Sequence, residues 1–156
     1  MTQEEKFMTE AIRLSRESVL NDGGPFGALI VKDSEIIAKA SNSVTKENDP
    51  TAHAEVNVIR KAAKKLGTFD LSGCEIYTSC EPCPMCFGAI YWARLDKLYF
   101  ANSKSDAQAI GFDDSFIYDE IERRYDQRSI PNIQMMKHEA LRAFKDWEEK
   151  EDKTIY

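Results

Sequence analysis

Two short clusters thirty residues apart set the tightest demand on how this 156-residue chain folds: Thr51-Ala52-His53-Ala54-Glu55 and Glu81-Pro82-Cys83-Pro84-Met85-Cys86. His53, Cys83 and Cys86 are metal-ligand types. Three protein ligands on zinc leave a fourth position for water, whereas four close the site. Any fold of this chain that uses them must bring two separate segments to one point. Cys83 and Cys86 are three apart, so at a helix start both sulfurs face one side. Pro84 suits a first turn, where its missing N–H costs nothing. A helix N-terminus also favours thiolate charge, by about 0.3–1 kcal/mol for each sulfur. His53 and Glu55, two apart, diverge on a regular helix. They act together only if His53 precedes the first regular turn, and Pro50 and Thr51 are matching start signals.

The residue types define a chemistry. An open zinc site lowers the pKa of its water from about 15.7 to roughly 7. Hydrolytic deamination then needs a carboxylate that does not bind the metal, to move protons toward the departing ammonia, and Glu55 is placed for that work. His-x-Glu followed by Pro-Cys-x-x-Cys is the arrangement of zinc-dependent nucleobase deaminases. The competing arrangement is a closed Cys3His zinc with Cys80 as fourth ligand, because Cys80, Cys83 and Cys86 are evenly spaced. Pro82 separates Cys80 from the helix start, so Cys80 is expected not to be a ligand. Cys74 is expected to be a small buried hydrophobe.

The length fits one domain, residues 1–156, with 139–156 as a C-terminal helix and tail. Four cysteines with a metal-like cluster read as reduced thiols rather than a disulfide frame. The acidic start Met1-Thr2-Gln3-Glu4-Glu5 has no apolar signal core and no run reaches membrane-spanning length, which together predict a cytoplasmic protein without a membrane partner. A net charge of −6 weighs against a nucleic-acid partner, since phosphate contacts rest on Lys and Arg. Arg60, Lys61, Lys64 and Lys65 read as the solvated face of a helix.

Residues 3–20 read as an amphipathic helix with Met8, Ala11, Ile12, Ser15, Val19 and Leu20 on one face. Strands are expected at 26–31 and 35–40 around a turn at Asp33-Ser34, and again at 75–79, 97–101 and 132–136. The His53 helix should run to Leu66 with Val56, Ile59, Ala63 and Leu66 as its core stripe, and Gly67 should stop it. The cysteine helix should reach Trp92, another helix should span 114–124, and a charged helix from Glu139 carries only Leu141, Phe144 and Trp147 as apolar positions. Strands that alternate with helices predict a three-layer α/β fold with ligands at strand ends.

Across its whole length the chain resembles the small bacterial-type guanine deaminases of the cytidine deaminase-like superfamily. The likeness is carried by Gly24-Pro25-Phe26-Gly27-Ala28, Asn42, the His53 and Cys83 clusters, Ala89-Ile90-Tyr91-Trp92-Ala93-Arg94, Gly111-Phe112-Asp113-Asp114-Ser115-Phe116-Ile117-Tyr118 and the terminal Tyr156. It implies an α/β/α fold with a mixed five-stranded sheet flanked by helices, in a homodimer whose C-terminal segments are exchanged. It implies one Zn2+ per subunit on His53, Cys83 and Cys86, with a water or hydroxide as fourth ligand. Asn42 and the Ala54 backbone N–H would bind the purine base; Phe26, Trp92 and Tyr156 would wall it; Glu55 and Asp114 would be catalytic. Asp114 also reads as a helix N-cap. Guanine deamination to xanthine and ammonia is the leading expectation. The alternatives are another deaminase, acting on tRNA adenosine, on a nucleoside such as guanosine or on a different amino-heterocycle, and a non-catalytic zinc module.

Overall fold

The structure, a computed structural model, describes residues 1–156. It divides into two compact units, Met1–Ser115 and Phe116–Tyr156, a boundary well before residue 139, where the C-terminal segment is expected to begin.

The first unit opens with helix α1, Gln3–Leu20, started by a Thr2/Glu5 capping box. Strand β1 (Gly27–Lys32) and strand β2 (Glu35–Ser41) form an antiparallel hairpin through Asp33 and Ser34, both with positive φ. That pair of left-handed residues matches the strands' own twist. A single-turn helix α2 (Val44–Glu47) precedes α3 (Ala54–Leu66), which ends on Gly67 in the left-handed conformation. Strand β3 (Cys74–Cys80), helix α4 (Pro84–Trp92), strand β4 (Lys97–Asn102) and helix α5 (Lys104–Ala109) follow.

The sheet order is β2-β1-β3-β4, with β1 antiparallel to both neighbours and β3 parallel to β4. Strands β2, β3 and β4 therefore run one way and β1 the other. This places the C-terminal ends of β2 and β3 on the same edge of the sheet, and the chain leaving each of them leads to one ligand cluster.

Alternation along β1 divides the core into layers. Ala28 and Ile30 pack with Ala54, Val58, Ala62, Ile76 and Ile90, while Leu29 and Val31 pack with Phe7, Ala11 and Tyr77. Helices α3 and α4 thus cover one face and α1 the other, the three-layer arrangement expected. The buried stripe of α1 is Phe7, Ala11, Ser15 and Ser18; Ala11 and Ser15 lie on the expected face, but Ile12, Val19 and Leu20 are exposed. Small residues win because α1 lies nearly against the β1 backbone. A Cβ on Gly27 would come within 2.6 Å of the Ala11 carbonyl oxygen and 2.7 Å of the Ser15 nitrogen. In α3 the buried apolar positions are Ala54, Val58 and Ala62, with Ile59, Ala63 and Leu66 packed beside them. Val56 is only half-buried, which rotates the stripe from the expected one.

The second unit contains the rest of α6 (Ser115–Glu122), a 3-10 turn at Tyr125–Gln127 and α7 (Lys137–Glu149). Arg128 ties its loop together through the Glu120 carbonyl at 3.0 Å and Asn132 Oδ1 at 2.9 Å. No residue of this unit is buried. The expected fifth strand at 132–136 does not form, so the sheet has four strands. The segment has no ladder partner, and its apolar residues Ile133 and Met135 are exposed. An extended run becomes a strand only when another backbone takes its hydrogen bonds.

Candidate metal centre and active site

Both ligand clusters sit at helix starts. His53 is the N-cap of α3, with φ −71° and ψ 156°, and Cys83 is the N-cap of α4, with φ −68° and ψ 169° and Pro84 behind it. The extended backbone at His53 removes the conflict that regular helical geometry would impose on a pair two residues apart. His53 Nδ1 lies 3.5 Å from Cys83 Sγ and 3.5 Å from Cys86 Sγ. Tetrahedral zinc, with bonds of about 2.3 Å to sulfur and 2.0–2.1 Å to nitrogen, requires nitrogen–sulfur separations of about 3.6 Å. The three donors fit that ion closely, and all lie within 4.8 Å of one another.

The charges in the cluster suit a cation. The Cys83 thiol is drawn down to about 4, first by the hydrogen bond from Cys86 and then, against the opposing cost of burial, by His53. The His53 imidazole is raised by the same contact with Cys83. Cys86 is pushed up, first because its proton is held by Cys83 and then by burial. The pair thus favours placing a negative charge on Cys83, and a bound divalent cation would draw off the second proton. Cys80 stands apart from the donor group. Its thiol donates to the Ser103 carbonyl at 3.8 Å, and burial raises it to about 11. Cys74 is fully buried, as expected of a small hydrophobe.

Glu55, the second residue of α3, is 5% exposed beside this cluster without belonging to its donors. Desolvation raises its pKa, while hydrogen bonds from Cys86 and Thr78 pull the other way. Thr78 Oγ1 lies 3.1 Å from Glu55 Oε1 and 2.9 Å from the Cys80 carbonyl oxygen. A carboxyl whose pKa is raised by burial, next to a metal site, is suited to accept and return a proton.

The expected base-binding residues divide into two groups. Ala54 is fully buried as the first residue of α3, so its N–H has no intrahelical carbonyl to bind. The Asn42 N–H donates to the Phe26 carbonyl at 3.1 Å, and Asn42 Oδ1 accepts from Val44 N at 3.1 Å. Phe26 meets Phe112 edge to face, with ring centres 4.9 Å apart. The Asp114 pKa is raised by burial and by the Cys83 charge, which puts its carboxyl within electrostatic reach of the cluster. Asp113, not Asp114, takes the helix-entrance role: its Oδ1 accepts from Ser115 N at 2.9 Å. In contrast, Trp92 ends α4, nine residues and about 13 Å along the axis from Cys83. Tyr156 belongs to the second unit.

Three contributors were given no role in the sequence reading: Thr78, Phe112 and Asn57, whose amide reaches the loop around Asn42. Thr78 had a signal, because it shares strand parity with the buried Ile76 and is a polar residue where an apolar one is usual.

The profile of the cytidine and deoxycytidylate deaminase zinc-binding region matches residues 1–102. The chain is 52% identical to the guanine deaminase of Bacillus subtilis over 153 residues, which span 97% of this chain and 98% of that one. An X-ray structure of that enzyme superposes with a TM-score of 0.96, covering 100% of this chain and 99% of the other. The guanine deaminase of Nitrosomonas europaea is 38% identical, with a TM-score of 0.66, over 69% of this chain and 63% of that one. The tRNA-specific adenosine deaminase of Aquifex aeolicus is 44% identical over 97 residues, 62% of this chain and 64% of its own. No helix in the structure is long and apolar enough to cross a membrane.

Proposed function

The chain belongs to the zinc-binding cytidine and deoxycytidylate deaminase family, and from that premise we propose that it hydrolyses guanine to xanthine and ammonia. The observation that carries this reading is the extent of similarity. The likeness to a guanine deaminase runs through 97% of the chain, including Asp114 and the C-terminal unit, whereas the likeness to a tRNA-specific deaminase spans 62%. His53, Cys83 and Cys86 would hold the zinc, which when bound supplies an acidified water as nucleophile for C2 of guanine. Glu55 takes the proton of that water and passes it to a ring nitrogen. Glu55, or Asp114, then takes the remaining proton from the new C2 hydroxyl and delivers it to the amine, which leaves as ammonia while the C2 carbonyl of xanthine forms. Guanine presents N–H donors at N1 and at its 2-amino group, and the Asp114 carboxylate is a matched acceptor for them. Adenine lacks the N1 donor and is disfavoured by that acceptor. Asn42 and the Ala54 N–H bind the purine edge, with Phe26 against one face.

Trp92 and Tyr156 wall the base in an assembly of two copies that exchange C-terminal segments. Two features support this reading. The outer face of α4 carries an open apolar groove of about 450 Å³ lined by Phe87, Gly88, Tyr91 and Trp92. The C-terminal unit buries nothing of its own and exposes Phe144 and Ile155. Surfaces like these mark association sites.

The deciding experiment measures ammonia release by the zinc-loaded protein from guanine, guanosine, adenosine, cytosine and a tRNA anticodon stem in parallel. Guanine preference is the expected result, and turnover of tRNA alone would refute the reading. Light scattering of the same sample should give the mass of a dimer.

A further inference from the structure

We propose that Asn57 is a positioning residue that clamps the base-recognising loop to the metal-binding helix, and that it sets guanine affinity through Asn42. The inference rests on the guanine deaminase reading for its substrate, but the clamp itself is a property of the chain.

Asn42 lies between Ser41, the last residue of β2, and Ser43, in the connection that leads to α3. Its backbone N–H is committed to the Phe26 carbonyl and its Oδ1 to Val44 N, so its amide NH2 is the group left for a ligand. What fixes this loop is a side chain on the metal helix. Asn57 Nδ2 lies 3.0 Å from the Ser41 carbonyl oxygen, 2.9 Å from Ser43 Oγ and 3.3 Å from the Ala52 carbonyl oxygen. These three acceptors flank Asn42 on both sides and directly precede His53.

The direction of the bonds is determined by chemistry. Two of the acceptors are carbonyl oxygens, which cannot donate, so the atom facing them must be the amide nitrogen. Ser43 Oγ gives its own hydrogen to Glu47 Oε2 and therefore accepts from Asn57. The nitrogen has two hydrogens for three acceptors, and the longest contact, to Ala52, is the one with another donor available, Ser43 N at 2.9 Å. Asn57 N also donates to the His53 carbonyl at 2.9 Å, which seats the clamp on the turn that carries the metal ligand. Aliphatic residues or Ala at this position would leave the Ser41 carbonyl without this donor and the loop tied only by backbone bonds.

The test uses zinc-loaded Asn57→Ala, with Asn57→Ser as a second variant that keeps one donor in case the first folds poorly. Two measurements are made: amide hydrogen exchange at Asn42 and Val44, and guanine kinetics in a cycle with Asn42→Ala. The expected result is faster exchange at both amides and unchanged zinc content. KM should rise about tenfold, the scale of one lost positioning bond, with kcat nearly constant. N42A/N57A should be no worse than N42A alone, because Asn57 acts through Asn42. Unchanged exchange in both variants overturns the clamp. Additive effects in the cycle overturn the route through Asn42. If the wild-type protein does not deaminate guanine, the functional reading fails while the exchange measurement still decides whether the clamp exists.

Discussion

Thr78→Val removes one hydroxyl from the interior and is close to neutral in shape. The Thr78 side chain is fully buried, and its oxygen sits 3.1 Å from Glu55 Oε1 and 2.9 Å from the Cys80 carbonyl oxygen. A hydroxyl has a single hydrogen for these two acceptors, so it bridges the proton carrier to the strand that leads to Cys83. Valine removes that hydrogen and leaves the oxygen that held it short of a partner. A buried polar group stripped of its hydrogen bond costs about 1–3 kcal/mol. In a chain of this size that corresponds to a fall in Tm of about 2–10 °C. The second consequence is catalytic. A carboxyl untethered by a bond of net worth about 0.5–1.5 kcal/mol samples other rotamers, which lowers kcat by roughly two- to tenfold. Thermal unfolding of the zinc-loaded protein and steady-state guanine turnover measure the two effects separately, with Thr78→Ser restoring both. A T78V protein with wild-type Tm and wild-type kcat would refute the bridge.

Glu55→Gln should retain zinc, since Glu55 is not among the donors, and lose turnover by about 10²–10⁴-fold, the range for a general acid–base; metal analysis beside kinetics checks it. Cys83→Ser should abolish stoichiometric zinc while Cys80→Ser keeps it, because only the first sulfur lies in the donor group; a zinc-free C80S protein would mean a closed four-ligand site. Glu10 is lowered from the ordinary 4.5 to about 2, chiefly by its hydrogen bond from Arg13, and it also meets Lys39 at 3.0 Å, pinning α1 to β2. Its stabilisation is therefore complete above pH 4.5 and lost as the pH falls through 2. The wild-type advantage over Glu10→Gln in urea unfolding, below about 1 kcal/mol for so exposed a pair, should be level near neutrality and vanish in strong acid.

How far the sequence could be read depended on what each residue answers to. The meeting of His53, Cys83 and Cys86 was legible because metal geometry ties residue type to spacing, and the N-cap positions of His53 and Cys83 followed from that constraint. The turn at Asp33-Ser34 was legible from local chemistry alone. The buried face of α1 was only partly legible: Ala11 and Ser15 lie inside as expected, but Phe7 and Ser18 join them and Ile12 stays out, and the Gly27 backbone comes so close to Ala11 and Ser15 that bulk is excluded there. Nothing in the helix's own periodicity contains that information. The strand expected at 132–136 failed for a related reason, since its alternation of Ile133 and Met135 is a real local pattern but no other strand pairs with it.

The candidate metal centre and Asp114 come from separate stretches of the chain. The family profile stops at residue 102, where β4 ends, and the candidate metal donors His53, Cys83 and Cys86 lie before that point, as does the Thr78–Glu55 hydrogen bond. Parallel β2 and β3 bring those groups to one sheet edge whatever substrate arrives. Beyond residue 102 come Phe112, stacked edge to face on Phe26, and Asp114, whose carboxyl already feels the Cys83 charge. These later residues reach back toward the site without supplying a ligand or holding Glu55. A change at Asp114 should therefore alter which heterocycle is accepted while leaving zinc content and the Glu55 environment intact. A substitution at Asp114 that stripped the metal would contradict that division, because no bond in the structure links its carboxylate to His53, Cys83 or Cys86.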